Sequence, residues 1–521
     1  MDFHVIAIFF VAFFLSNHLL AESAKILGIF SVRSKSHHSI HQPILNGLAN
    51  SGHQVTIIGH FKSNQNVSNY KEILISEFEK VSNWVDCITV EDRTNYVGVQ
   101  KWLMVSYTVE LPKCEKIFRF DYIKQLIKSS TDHSIDLIIT EVYHIRCFHL
   151  LAHKLNVPLI LILPPSSEIG NDYFVGNPFI PSITPLRNTI FTTKMNFWQR
   201  FENFFQYGLT YWYHNIIQNK DMERHAREIF NMTLPSDEEL NRKPALAFYN
   251  NHPSFISRPK SPNVIDIAGI HIKEAKKLPR DIEEFIEGAP NGVILFSFGT
   301  TIKASSMGSE KLKAITDALS VIPQRVLWRV NDLNITDVSP NVKLGTWFPQ
   351  RDILEHKKVI AFISHCGLLG TLEAIYTTTP VIGVPFMLDQ FQNANILVER
   401  GVGIYVDYFS MNKESLIDAI EEITKNNKYR ENIIKWSKII QDRPMSPLDE
   451  ALYWTEYVLK HQGAPHLRIA AADMPLYQYL LLDVLASILA IVIGFMYFLK
   501  LIIKCILSLM WQQKPKKNKI Q

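Results

Sequence analysis

Residues 347–395 read WFPQRDILEHKKVIAFISHCGLLGTLEAIYTTTPVIGVPFMLDQFQNAN, and this stretch decides the fold. Within it, residues 359–364 (VIAFIS) form a short continuous apolar run, as a strand buried on both faces requires. A helical pattern through Ile375 follows, then a second apolar run at 380–385 (PVIGVP). Strand, helix, strand at this spacing is the βαβ unit of a parallel sheet. Residues 364–373 (SHCGLLGTLE) leave the first strand, turn at Cys366-Gly367 and are expected to open the helix at Gly370-Thr371.

The same alternation extends outward. Upstream, 291–299 (NGVILFSFG) reads as a buried strand with a glycine turn, and 325–330 (RVLWRV) as the next strand. A Pro/Asn-rich connection, 250–264, precedes them and suggests a domain boundary. In the first half, 25–30 (KILGIF) is a strand followed by a polar loop and an amphipathic 42–50. Residues 53–58 (HQVTII) follow the turn Ser51-Gly52, and 135–140 with 158–163 flank a helix ending near Leu155. The expected fold is therefore α/β, with two doubly wound domains facing one another across a cleft. Residues 188–230 stand apart through their aromatic content. They suit helices that touch a bilayer or line an apolar acceptor cleft, or ordinary helices packed on the sheet.

Ligands of open α/β sheets sit at the carboxyl ends of the strands, so chemistry is sought in the loops that leave them. A helix opening after Cys366-Gly367 presents free N–H groups and partial positive charge, which suits a diphosphate. His365 can donate to a phosphate oxygen, and Glu373 can accept from vicinal ribose hydroxyls. Trp347 offers a flat face for a base, and Gln350 can read an amide edge such as that of uracil. Asp389-Gln390 supplies adjacent acceptor and donor groups for sugar hydroxyls.

Composition narrows the class. The 521 residues carry a formal charge of +4, and four lysines (Lys514, Lys516, Lys517, Lys519) lie in the last eight residues. The remainder is balanced, which excludes a charge-driven nucleic-acid binder. The five cysteines, Cys87, Cys114, Cys147, Cys366 and Cys505, form no CxxC pair or metal-ligand spacing, which argues against a zinc site. A disulfide between two of the first three is compatible with the count, but the sequence alone assigns none.

Both ends suggest a membrane address. Residues 5–15 are an apolar run of signal-peptide length, with Ala21 suited to cleavage. Residues 480–503 form a long apolar stretch edged by Asp483 and Lys500, enough to span a bilayer. The basic tail would then face the cytosol. Its lysines at 517 and 519 are spaced like a retrieval signal, although a plain stop-transfer flank explains their charge equally. Sequons begin at Asn66, Asn231 and Asn334.

Taken jointly, Trp347 to Gln350 (WFPQ), His365 to Gly367 (HCG), Glu373 and Asp389-Gln390 resemble the donor-binding signature of the UDP-glycosyltransferase family, the glucuronosyl- and glucosyltransferases, insect members above all. The resemblance spans nearly the whole chain. It implies a GT-B fold in which Trp347 stacks on uracil and Gln350 bonds the base or ribose. His365, Gly367 and the backbone of Gly370 would hold the diphosphate, with Thr300 nearby, Glu373 would hold the ribose, and Asp389 and Gln390 the transferred sugar. It also implies a catalytic histidine at His37, with His38 and His41 as rivals, paired with a carboxylate at Glu141 where the family has aspartate. Cys366 replaces a common glycine and Leu369 a common asparagine.

The resulting expectation is an endoplasmic reticulum membrane enzyme of single-pass type I topology with lumenal catalytic domains. Its segments would be a signal peptide (1–21), an acceptor-binding domain (22–245), a UDP-sugar-binding domain (246–462), a linker (463–479), a transmembrane helix (480–503) and a cytosolic tail (504–521). It would transfer a sugar, glucose favoured because no cation stands beside Asp389-Gln390 in sequence, from a UDP-sugar to a small lipophilic acceptor by inverting displacement. His37 would act as base, with no cofactor or metal ion. Homo-oligomerisation stays open. The competing readings are a non-catalytic UDP-sugar-binding homologue and a lipid glycosyltransferase.

Overall fold

Continuous apolar runs become central strands because parallel sheets are covered on both faces. The computed structural model describes residues 23–63, 67–75, 112–128, 134–141, 147–165, 169–177, 179–186, 189–299, 302, 307–330, 335 and 338–512. The expected signal peptide, Cys87, Thr300, the sequon asparagines Asn66 and Asn334, and the lysines of the tail lie outside the described residues.

The first sheet contains β1 (Lys25–Ile29), β2 (Gln54–Gly59), β3 (Tyr70–Leu74), β4 (Leu137–Glu141), β5 (Leu159–Leu163), β6 (Pro244–Tyr249) and β7 (Val264–Asp266), in the order β3-β2-β1-β4-β5-β6-β7. The second contains β8 (Val293–Ser297), β9 (Arg325–Arg329), β10 (Val342–Gly345), β11 (Val359–Ser364), β12 (Val381–Gly383) and β13 (Gly403–Tyr405), in the order β10-β9-β8-β11-β12-β13. Strand pairings in both are parallel. Each sheet is buried on its two faces by separate apolar clusters.

The helices needed below are α1 (Lys35–Asn50), α2 (Cys147–Leu155), α3 (Phe197–Glu228), α4 (Leu368–Tyr376), α5 (Asp389–Glu399), α6 (Pro447–Lys460) and α7 (Leu482–Gln512). Two expected boundaries need correction here. α1 begins at Lys35 rather than near Gln42 and runs through Pro43. Proline normally marks a helix start, because it lacks an N–H and crowds the preceding turn, and that misplaces the onset. α4 begins at Leu368, with Gly367 as its cap, rather than at Gly370.

The expected domain boundary at 245/246 falls inside β6, which pairs with β5, and β7 extends the same sheet. The connection 250–263 leaves that sheet, buries Phe255 and Ile256 in a core of the second half and returns. There Phe255 stacks on Trp436. In the opposite sense α6 buries Ala451 and Val458 in a core of the first sheet. The His53 Nε2 atom lies 2.6 Å from the Glu456 carboxylate, tying α6 to the start of β2. Neither half is thus a contiguous piece of sequence.

Cys114 and Cys147 form a disulfide, closing a loop onto α2. A second unit begins at Ile469. Within it α7 carries an apolar stretch, Leu482–Trp511, long enough to cross a membrane. It runs beyond the expected end at 503, because Lys500 and Lys504 do not interrupt the helix.

Candidate active site

In both sheets the chain starts at a central strand, winds one way, then returns to wind the other. The reversal lies between β1 and β4 in the first sheet and between β8 and β11 in the second. Loops diverge at such a switch point and leave a crevice at the carboxyl ends of the two strands. His37 and Glu141 lie at the first of these places and His365 and Gly367 at the second, while Trp347 and Gln350 follow β10 and Asp389 and Gln390 follow β12.

At the first switch point, Glu141 is the last residue of β4, buried beside β1. The Thr140 hydroxyl donates to the Ile29 carbonyl at 2.7 Å and clamps the two strand ends. His37, in the first turn of α1, brings Nδ1 to 2.5 Å from Glu141 Oε1. This is a charge contact rather than a well-aligned hydrogen bond, a common state of catalytic pairs without substrate. The rivals are placed elsewhere. His41 is buried with its ring stacked on Phe30, and burial first, then His38 and His37, hold it well below the usual imidazole range. His38 is lowered by burial and by Lys273. Of the three, His37 is the one in contact with the Glu141 carboxylate.

At the second switch point, matching serines close the strand ends. Ser297 Oγ accepts from the Gly299 N–H at 3.3 Å, and Ser364 Oγ accepts from the Cys366 N–H at 3.1 Å. The two turns press the His365 ring between glycines. A Cβ on Gly299 would come within 2.7 Å of that ring, and one on Gly367 within 2.6 Å. Gly299 also has φ +71°, so a side chain there is excluded twice. Burial holds His365 down to about 4, Asp389 opposing and Arg329 assisting. At neutral pH the ring is therefore uncharged with a single N–H, for which the Ser297 carbonyl is a partner.

α4 carries no side-chain cap on its first N–H groups, and its first helical bond runs from Thr371 to Gly367. The amides of Leu368, Leu369 and Gly370 thus point out of the helix start, next to His365. One turn further, Glu373 accepts a 2.7 Å hydrogen bond from Gln350 Nε2. A Cβ at Gly370 would approach that amide to 3.1 Å, so glycine lets Gln350 lie flat along the helix. Burial pushes the Glu373 carboxyl up, partly offset by Gln350. Trp347, three residues before Gln350, is 67% exposed, an unusual state for an indole and a ready stacking platform.

The sugar-side pair differs from expectation. Asp389 heads α5 and accepts from Asn393 at 3.0 Å, with Asn393 also donating to the Cys366 carbonyl. Gln390 is turned inward. Its Oε1 accepts from the Phe386 and Met387 amides, so only its nitrogen is left for a sugar. Leu388 and Cys366 both adopt positive φ (51° and 60°), and such non-glycine strain concentrates at functional sites. The Cys366 thiol is buried and raised by burial, which makes it unreactive.

Leu369, the other departure, packs against the first-sheet cluster that contains Phe30 and Ile40 of the β1–α1 corner. Its carbonyl accepts from His271, in the turn that follows β7. The Ile190 and Phe191 carbonyls accept from Asn395 and Gln392 of α5. The start of α4 is therefore held against the half that carries His37, and a side chain that would have been polar became a packing residue. Sequence reading missed Arg329, which ends β9 level with Ser297 and is close enough to depress His365. The signal was legible: a cation closing an apolar strand beside a switch point.

Two facing doubly wound sheets with these loops define a glycosyltransferase of the GT-B fold. Two solved structures share it: the glycotransferase of kitacinnamycin (TM-score 0.54, 14% identity, 85% of this chain and 100% of that one) and CalG4, the calicheamicin glycosyltransferase (TM-score 0.56, 16% identity, 84% and 98%). The UDP-glucoronosyl and UDP-glucosyl transferase profile matches residues 24–520, and the chain belongs to that family. It is 34% identical to UDP-glucosyltransferase 2 of Dactylopius coccus over 99% of both chains. It is 30% identical to human UDP-glucuronosyltransferase 2B7 over 93% of each.

If Glu373 accepts from the ribose, Glu373→Gln should raise the KM for the donor about 10- to 100-fold with much less effect on kcat, since bonds to a charged acceptor contribute about 1.5–3 kcal/mol. Because burial raises this carboxyl, wild-type donor KM should climb as pH falls, starting above the ordinary carboxylate range, and the glutamine variant should lose that dependence. Initial rates across pH check both, and an unchanged KM removes Glu373 from the donor site.

Proposed function

We propose that this chain transfers glucose from UDP-glucose to a hydroxyl of a small lipophilic acceptor in a single inverting displacement. The observation that carries the reading is the contact between His37 and Glu141 at the crevice of the first sheet. With Nδ1 facing the carboxylate, Nε2 is the nitrogen assigned to the acceptor proton. The acceptor O–H bond breaks, its proton passes to Nε2, and the oxygen bonds to the anomeric carbon. The bond from that carbon to UDP breaks, and UDP leaves with the electron pair. Charge developing on the diphosphate meets the Leu368–Gly370 amides, and the His365 N–H once it turns from the Ser297 carbonyl. The reaction needs no metal for that charge. The imidazolium is stabilised by Glu141 until water takes its proton.

A retained base and orienting carboxylate favour an enzyme over a non-catalytic homologue. Glucose is favoured by the name of the Dactylopius coccus relative and by the negative charge of Asp389, which would repel a sugar carboxylate. Glucuronate is the second reading, favoured by Arg329 near His365. We place the enzyme in the endoplasmic reticulum, anchored by α7 with its catalytic halves in the lumen, after removal of a signal peptide. The exposed sequon at Asn231 suits that side.

The test crosses UDP-glucose and UDP-glucuronate with a panel of phenols, using the full chain in microsomes. UDP-glucose should give a β-glucoside and release UDP at least about tenfold faster than UDP-glucuronate, a difference of roughly 1.4 kcal/mol in transition-state binding. A dominant glucuronide would transfer the donor reading to Arg329. Bound donor without UDP release would leave only the binding homologue.

A further inference from the structure

α3 is built inside out for a helix in water. Phe197, Trp198, Phe201, Phe204, Phe205, Leu209 and Trp212 are exposed, and at 100° per residue they fall on one arc of about 140°. The face turned to the protein is the polar one: Asn203, Tyr207 and Thr210 are buried.

This orientation is locked. Asn203 donates from Nδ2 to the Pro181 and Thr184 carbonyls at 2.7 and 2.8 Å and accepts from the Leu186 N–H at 2.8 Å. Tyr207 stacks on Phe179 at 4.5 Å between ring centres. A capping box between Asn196 and Gln199 pins the start of the helix. Rotating α3 to hide its aromatics would break the three hydrogen bonds of Asn203 and leave the Pro181 and Thr184 carbonyls and the Leu186 N–H facing apolar rings, so the apolar arc is held outward. Phe and Trp carry roughly 150–250 Å² each and these six are 52–72% exposed, so the arc still exceeds the few hundred Å² a monomer ordinarily exposes.

We infer that this arc of α3 is a lipid-docking surface that lies in the headgroup–acyl boundary of the membrane to which the chain is tethered. The inference rests on the reading of α7 as a membrane span. Thirteen residues, 469–481, separate the first unit from that span. Fully extended they reach at most about 45 Å, so the folded halves never leave the neighbourhood of the bilayer. Lipid is thus a permanent neighbour, and Phe and Trp on one helical face are the side chains that settle at its interface. Charged side chains stay off the arc's centre, as at Arg200, which donates instead to the Met195 carbonyl.

The experiment places the photoreactive benzoylphenylalanine in the full chain, one site at a time, in phosphatidylcholine–phosphatidylserine nanodiscs. The sites are Phe201→benzoylphenylalanine and Phe205→benzoylphenylalanine, with Ile493 in α7 and Lys313 on the second half as controls. Mass spectrometry should find phospholipid adducts at 201, 205 and 493, and at least about tenfold fewer at 313. Adducts at 493 but not at 201 or 205 overturn the docking surface while leaving the span intact. Adducts joining two copies of the chain through 201 or 205 overturn it in favour of self-association. Absence of lipid adducts at 493 as well overturns the span, and the proposal with it.

Discussion

Replacing His37 with alanine is expected to lower kcat by about two to four orders of magnitude while leaving UDP affinity within about twofold. The magnitude is that of a general base acting on a hydroxyl, which is a poor nucleophile without one. UDP affinity should hold because the candidate diphosphate contacts, His365 and the amides of Leu368–Gly370, belong to the other half of the molecule. His37 is partly exposed, so its removal opens no core cavity. Stopped assays for turnover and calorimetry for UDP binding check the two parts separately. Loss of both together would mean that His37 supports the fold instead.

Glu141→Gln carries the second large effect. The side chain is 1% exposed and lies against the His37 ring, so its charge acts at low dielectric and stabilises the imidazolium. An amide of the same shape can present an N–H to Nδ1 and favour the wrong tautomer, for which losses of up to about 10⁴ are precedented in nucleophile–histidine–carboxylate sites. The expected result is a kcat lowered by about 10²- to 10⁴-fold in protein that is still fully folded at the assay temperature, whatever fall in the unfolding midpoint follows from altering one partner of a buried contact. His37→Ala combined with Glu141→Gln should be no slower than His37→Ala alone, because residues acting as one unit do not lose rate twice. Additive losses would mean that the two act independently.

Central strands such as 359–364 and 158–163 were legible because burial on both faces leaves an uninterrupted apolar run, whereas β3, β7, β10 and β13, short or partly exposed, were not read. What such a run does not reveal is which sheet it joins. Residues 244–249 were not read as a strand and the expected boundary cut through them, whereas pairing with β5 assigns them to the first sheet. The return of α6 to the first sheet was hidden for the same reason, since an amphipathic helix does not name its partner. That His365, Gly367 and Glu373 sit at a strand-to-helix turn was legible through their spacing after an apolar run. The inward turn of Gln390 was not, because it depends on the backbone of 386–388. Leu369 looked like a lost polar contact and is instead a packing residue between the halves. Its meaning required knowing which surface faced α4.

Strain tells a consistent story. Cys366 and Leu388 hold positive φ without being glycine, a cost of about 1–3 kcal/mol each. Both lie in the loops that frame His365 and Asp389. The fold therefore spends local stability at the place where the diphosphate is proposed to bind.

The most direct measurement is a structure of the full chain with UDP bound. It should show the diphosphate against the amides of residues 368–370 and the His365 ring, uracil on Trp347, ribose on Glu373, and the open side of the diphosphate facing His37. UDP seated outside the β8–β11 crevice, or a His37 ring separated from the diphosphate by packed protein, would contradict the account at its root.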